Sequence, residues 1–163
     1  MSVRSQAGLN LLELSVALAV FATLAGSLLS AVLFYQEWAE KVVVEATIVN
    51  VRSGLRWQVV DRLINGRQSG LSDLVVVNPV RWLEREPAGY IGERANVSAS
   101  DLEPGTWVYD TYKREVGYRP KLHSHLVGPE DGVLRWRVRA RRIVAAGVVE
   151  GIEIEQVRNY KWF

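Results

Sequence analysis

The stretch GLNLLELSVALAVFATLAGSLLSAVLFY, residues 8–35, decides the fold of this chain. It carries a single charged side chain, Glu13, and the next charge along the sequence is Glu37. Residues 14–35 therefore supply about 22 uncharged residues, enough for one helix to cross a bilayer. This run is longer than the apolar core of a cleaved secretory signal, and no small-x-small cleavage site follows it. The sequence predicts a membrane-spanning helix.

Glu13 is the unusual residue of this segment, because an ionisable group inside a span is costly and usually has a partner or a function. Gly8 stands five residues before it, where the short polar segment MSVRSQAG meets the apolar run. The order is Gly, an apolar residue, a polar residue, two leucines and Glu. This pattern resembles the class III leader of type IV pilins and type II secretion pseudopilins.

The resemblance implies a processing site and an assembly residue. Prepilin peptidase would cut between Gly8 and Leu9, and the new amino terminus of Leu9 would be N-methylated. A terminal ammonium and the Glu13 carboxylate cannot both stay unpaired in lipid. In this family the carboxylate meets the terminal amine of a neighbouring subunit, which implies that Glu13 acts in filament assembly. The alternative is a plain, uncleaved anchor.

The charges that flank the span predict its orientation. Arg4 precedes the span, whereas Glu37 and Glu40 follow it. Basic residues favour the cytoplasmic side. We therefore expect a cytoplasmic N-terminus and an exported C-terminal domain. The resemblance implies a single-pass protein of the bacterial inner membrane whose C-terminal domain is periplasmic and that enters a pilus or pseudopilus.

Composition limits the remaining possibilities. The 163 residues leave room for one soluble domain after the span. The 20 basic and 18 acidic side chains nearly balance, and Arg4 would leave with the leader, so no global attraction to nucleic acid follows. The chain has no Cys, which excludes disulfides and thiol chemistry. Many major pilins close a C-terminal loop with a disulfide, so this absence favours a minor pilin.

A second helical pattern follows the span. A run of apolar residues recurs every three or four positions: Val44, Ile48, Val51, Leu55, Val59 and Leu63. No proline interrupts residues 9–64. Asn65 and Gly66 both tolerate the left-handed conformation that ends helices. We expect a continuous helix whose second half, residues 37–66, is amphipathic.

The rest of the chain predicts a sheet. Residues 67–105 are punctuated by Gly and Pro and are expected to be mostly loop, with a turn capped by Ser72 and a short strand over residues 75–77. Two hairpins are then expected, formed by residues 106–112 with 115–119 and by residues 133–142 with 148–157.

The expected fold class is α+β, with a long N-terminal helix packed against about four antiparallel strands. The resemblance implies the type IV pilin-like version of this layout. The expected segments are the leader, residues 1–8; the transmembrane and assembly helix, 9–36; its amphipathic continuation, 37–66; and a loop and sheet region, 67–163. The last two would form one periplasmic domain.

Four arginines on one strand form the main charge cluster. Arg135, Arg137, Arg139 and Arg141 alternate with Trp136, Val138 and Ala140, so they lie on one face of the strand. A nucleic-acid surface, a contact between subunits and a solvated face are the possible interpretations. The acids of the partner strand, Glu153 and Glu155, can lie opposite the arginines, which favours a solvated face and argues against nucleic acid.

Metal and catalytic motifs are weak. His123 and His125 have no recognisable third ligand, and Glu130 with Asp131 is more typical of a plain turn than of a calcium loop. We expect no cofactor. The sequence has no phosphate-binding glycine loop and no nucleophile elbow, so we expect no enzyme activity.

Taken with these observations, the resemblance implies a structural subunit, a minor pilin used in pilus biogenesis or adhesion. A type II secretion pseudopilin is the second interpretation. A membrane-anchored periplasmic binding module is the alternative of a different class. The partners that the resemblance implies are other pilin or pseudopilin subunits, prepilin peptidase and the inner-membrane assembly platform.

Overall fold

The computed structural model describes residues 10–66, 68–142 and 149–163. It divides into two compact units, Met1–Glu37 and Trp38–Phe163. One long helix, α1, runs over Leu11–Ile64, which confirms the predicted long N-terminal helix within the described residues. The predicted leader, with Gly8 and the following Leu9, lies outside them, as does the turn of the second hairpin.

In the first unit α1 exposes apolar side chains on every side. All residues from 11 to 36 are exposed. The hydroxyls of Thr23, Ser27 and Ser30 each donate to the carbonyl four residues earlier at 2.9 Å, so their polar groups are satisfied within the helix. In the described part of the chain α1 is long and apolar enough to cross a membrane.

The helix ends as its sequence predicts. Asn65 Nδ2 donates to the Asp61 carbonyl at 2.9 Å, and Gly66 has a φ of 66°, in the left-handed region. Glycine adopts this conformation without steric cost, so the chain turns away here.

The described residues of the second unit form seven strands. Their bounds are β1 Tyr90–Arg94, β2 Thr106–Asp110, β3 Glu115–Arg119, β4 Leu126–Val127, β5 Leu134–Arg142, β6 Val149–Gln156 and β7 Lys161–Trp162. Five strands form one sheet in the order β1-β2-β3-β5-β6, and β4 pairs with β7 separately. The strands β2, β3, β5 and β6 are antiparallel neighbours, as predicted.

The sheet differs from the prediction at β1, which pairs in parallel with β2 and makes the sheet mixed. These residues were predicted to be loop. The register shifts between Tyr90 and Glu93, and Gly92 adopts a φ of 90° there. This bulge removes the regular alternation by which a strand is recognised in sequence.

A second difference lies just after α1. Gln68–Val75 forms a 3₁₀-helix, so the predicted strand over residues 75–77 is wrong. Leu71 and Leu74, three residues apart, are buried together with Leu55 of α1 and Val138 of β5. Burial of this leucine pair outweighs the preference of the three valines at residues 75–77 for a β-strand.

The main core lies between α1 and the sheet. Val44, Ile48 and Val51 pack against Trp107 and Trp136. The indole rings of these two tryptophans stack with centroids 5.8 Å apart. The predicted periodicity therefore identified the buried face of α1 correctly over residues 44–55, whereas Leu63, at the end of the same pattern, is 46% exposed.

One polar contact fixes the chain after β3 to α1. Glu40 accepts hydrogen bonds from Tyr118 Oη and the Lys121 backbone N–H, both at 2.6 Å, and from the Leu122 N–H at 3.1 Å. Burial raises the pKa of the Tyr118 hydroxyl, and the neighbouring carboxylate raises it further. Tyr118 therefore stays a neutral donor at physiological pH.

The other face of the sheet, called here the outer face, carries a smaller apolar cluster. The connection from β1 to β2 supplies Val97 and Leu102, which pack on Val108 and Val133. Beyond this cluster the outer face is charged.

Candidate functional site

Glu13 lies in the first turn of α1 and is exposed. The Asn10 backbone N–H lies 3.4 Å from Glu13 Oε2, so the carboxylate caps the start of the helix. A negative charge is favourable there because the N-terminal end of a helix dipole is positive. The carboxylate is accessible to a cationic group of another chain. The predicted processing residues, Gly8 and Leu9, lie outside the described residues.

In the second unit α1 exposes an apolar surface opposite its buried face. Residues three or four apart are all exposed along this side, and they are called here the α1 stripe. They are Val42, Ala46, Val49, Ser53, Trp57, Val60 and Ile64. Trp57 is 75% exposed and Ile64 is 79% exposed. Contiguous apolar surfaces of this kind mark sites of interaction with protein or lipid.

The arginines of β5 lie opposite the acids of β6 on the outer face. Arg137 is in register with Glu155, and Arg139 with Glu153. This confirms the prediction that Glu153 and Glu155 lie opposite the arginines. The closest contact is diagonal, because Arg139 Nη1 lies 3.3 Å from both oxygens of Glu155.

A buried acid of β3 organises the same arginines from the other side. Glu115 is only 6% exposed, and its Oε1 accepts from Arg137 Nη2 at 2.8 Å. Its Oε2 lies 4.0 Å from Arg135 Nε. Arg135 Nη1 also pairs with Asp131 Oδ2 at 2.6 Å. The first arginines of the row are thus held by carboxylates, whereas Arg139 and Arg141 are exposed.

The turn between β2 and β3 is built on another buried acid, Asp110. Its Oδ1 accepts from the backbone N–H groups of Asn96, Tyr112 and Lys113 at 2.9–3.1 Å, and its Oδ2 accepts from the Val97 N–H at 2.8 Å. Burial alone would raise the pKa of this carboxyl, but the four N–H donors outweigh it and lower the pKa. The turn is therefore held by an ionised carboxylate.

Two of the residues considered for metal binding contact other side chains. Asp131 is bound to Arg135, and the His125 ring stacks on Phe163 with centroids 4.7 Å apart. Among the described residues no group of three His, Cys, Asp or Glu side chains is arranged to hold a metal ion.

Sequence reasoning missed two residues that organise the outer face, Asp110 and Glu115. Both had a detectable signal. An Asp that ends a strand just before a tight turn commonly accepts backbone N–H groups. Extending the alternation from β5 to β3 places Glu115 on the same face as the arginines.

No family model, no curated protein and no solved structure matches this chain.

Proposed function

We propose that this chain is a type IV pilin-like structural subunit, a minor pilin, and not an enzyme. Prepilin peptidase would process it between Gly8 and Leu9, with N-methylation of Leu9. It would then wait in the bacterial inner membrane, with its second unit in the periplasm, until α1 packs with other pilin subunits on the assembly platform. Glu13 would pair with the terminal amine of a neighbouring subunit.

The observation that carries this proposal is the exposure of apolar surface along α1. An anchor that only tethers a domain needs apolar surface in the lipid-spanning part of the helix. Here the α1 stripe in the second unit is exposed as well. The opposite face of the same helix is already buried in the core of that unit. Helix-to-helix packing between subunits would cover both surfaces. The leader-like pattern before Glu13 supports the same proposal.

Intact mass of the membrane-extracted protein tests the processing step. In cells with active prepilin peptidase we expect a species that lacks residues 1–8 and begins with methylated Leu9. Gly8→Ile should leave the precursor uncut, because the peptidase requires a small residue at the cleavage site. A full-length protein in such cells would contradict the proposal and favour the membrane-anchored periplasmic binding module.

Substitutions in the α1 stripe test the packing step. Trp57→Asp should reduce the amount of the protein in sheared surface filaments about fivefold or more, because truncating a central aromatic of an interface costs at least about 1–2 kcal/mol. Arg52→Asp is the matched control, since Arg52 is exposed on the same helix but outside the stripe. Equal incorporation of the two variants would show that the stripe does not pack in the filament.

A type II secretion pseudopilin is the second candidate, because the leader pattern and Glu13 fit it equally well. The companion genes would separate the two, since pilus and secretion machines are built from different sets of proteins.

A further inference from the structure

The β2–β3 turn and the middle of β5 enclose a pocket of about 400 Å³, called here the basic pocket. Four cationic side chains line it against a single carboxylate, Glu155. The cationic residues are Lys113, Arg114, Arg137 and Arg139. Val75, Val138 and Ala140 supply an apolar part of the lining. Lys113 lies 3.9 Å from Asp110 and Arg137 lies 2.8 Å from Glu115, so these acids partly neutralise two of the four cations. The positive charge that remains makes this pocket a candidate for anion recognition.

The turn that carries Lys113 and Arg114 is held in place before any ligand arrives. Asp110 binds the backbone N–H groups of Tyr112 and Lys113 at 2.9 Å and 3.0 Å. Arg114 has a φ of 56°, a conformation that non-glycine residues adopt at a cost and only where the surroundings impose it. Arg114 is exposed and forms no ion pair with another described residue.

The two arginines of β5 keep unused hydrogen-bonding capacity. Arg137 donates from Nη2 to Glu115, but its Nε is shielded from solvent and has no hydrogen-bond partner among the described residues. Arg139 is 67% exposed and lies 3.3 Å from Glu155, longer than the 2.7–2.9 Å of a strong charge-assisted bond. The shielded Nε of Arg137 cannot reach a ligand, but the Arg137 side chain is 43% exposed, so the exposed ends of both side chains can donate to a further carboxylate.

We propose that the basic pocket binds an extended acidic segment of a partner protein, with carboxylates on alternate residues. Arg137 and Arg139 project from the same face of β5, about 6.6–6.8 Å apart. Alternate side chains of an extended peptide have the same spacing, so two carboxylates of one segment match the two guanidinium groups. This inference requires no filament and is independent of the subunit role.

A nucleic acid fits this pocket less well than an acidic peptide. Glu155 lies inside the basic pocket, and Glu115 lies beside it under Arg137. A phosphodiester backbone carries a charge on every residue and would meet these fixed carboxylates. A peptide can place charges at the arginines and neutral residues elsewhere.

Fluorescence anisotropy tests the proposal with the full chain in detergent micelles. The probe is a labelled peptide of repeating Glu-Ser, and a Gln-Ser peptide is its neutral counterpart. We expect the Glu-Ser peptide alone to bind. Arg114→Gly should raise its Kd at least fivefold without unfolding the turn, because glycine accepts the positive φ at residue 114. Arg139→Ala should raise the Kd to a similar extent.

The matched control is Arg85→Ala, which removes the same charge from an exposed residue outside the basic pocket. It should leave the Kd unchanged. No binding by the unmodified protein, or equal Kd values for Arg114→Gly and Arg85→Ala, would overturn the proposal. Tighter binding of a labelled oligothymidylate, lost in the same pocket variants, would assign the site to nucleic acid and also overturn it.

Discussion

Residues 11–36 and residues 38–64 belong to the same α-helix, yet they expose apolar side chains in different ways. The first set is exposed on all sides and contains one charge, Glu13. The second set buries one face under the sheet and exposes the α1 stripe on the opposite side, with charged residues such as Glu45 and Arg52 between the two faces. The helical backbone is the same in both, so the distribution of charge around the helix distinguishes them.

This difference indicates different surroundings. An all-round apolar helix suits lipid, where charged flanks would be costly. A helix with two apolar faces and charged flanks suits an aqueous space in which protein covers both faces. The comparison therefore predicts that apolar-to-arginine substitutions prevent membrane insertion in the first set but not in the second.

The largest expected effect comes from arginines placed in the first set. Leu24→Arg together with Leu28→Arg should cost about 5–7 kcal/mol of membrane insertion, at about 2.5–3.5 kcal/mol per arginine near the centre of a span. The protein should then appear in the soluble fraction after carbonate extraction. Val49→Arg together with Val60→Arg, in the second set, is the matched control and should stay in the membrane. Loss of both variants from the membrane would refute the comparison.

Glu13 provides the next test, because it is the exception to the uncharged character of the first set. Glu13→Ala should still be processed, since the cleavage site is unchanged, but its amount in sheared filaments should fall at least tenfold. Breaking a desolvated charge pair costs about 3–5 kcal/mol. Ser15→Ala, two residues away, should be incorporated normally. Normal incorporation of Glu13→Ala into filaments would contradict the proposed role of Glu13 in assembly.

The two faces of the second set predict a difference in stability. Leu55 is 1% exposed and Val49 is 52% exposed. Leu55→Ala should lower the free energy of unfolding by about 2–5 kcal/mol, because it leaves a cavity in the core. Val49→Ala should change it by no more than about 0.5 kcal/mol. Denaturant titrations of the full chain in micelles, followed by tryptophan fluorescence, measure both. Similar losses would mean that the stripe is not exposed.

Local sequence patterns predicted much of this architecture. The features that were missed depend on contacts between residues far apart in the sequence. The spacing of Val44, Ile48 and Val51 and the alternation in β5 and β6 predicted the buried helix face and the hairpin register. Strand β1 was missed because its parallel pairing is long-range and its bulge breaks the alternation. Glu115 was missed because its contacts with Arg135 and Arg137 depend on the pairing of β3 with β5, which the two predicted hairpins did not include.

Acid should affect the two units differently, because the carboxylates with lowered pKa values, Asp110 and Asp131, both lie in the second unit. A carboxyl with a lower pKa in the folded than in the unfolded state stabilises the fold above its unfolded pKa of about 3.9, and this contribution is lost as the pH falls further. Tryptophan fluorescence reports the second unit alone, since all six tryptophans lie there. It should change below about pH 4, whereas the helical circular dichroism of residues 11–36 should persist.

The variant Asp110→Asn isolates this contribution. An amide keeps an acceptor for Tyr112 and Lys113 but turns a donor toward the Val97 N–H, which leaves a buried donor unsatisfied at a cost of about 1–3 kcal/mol at pH 7. The difference in unfolding free energy from the unmodified protein should shrink as the pH falls below about 4, because protonation weakens the native carboxylate in the same way. Asp73 is an exposed acid in the same unit. The variant Asp73→Asn should show no such difference from the unmodified protein, either at pH 7 or below about pH 4. A gap between Asp110→Asn and the unmodified protein that stays constant with pH would mean that steric fit, and not the charge on Asp110, holds the turn.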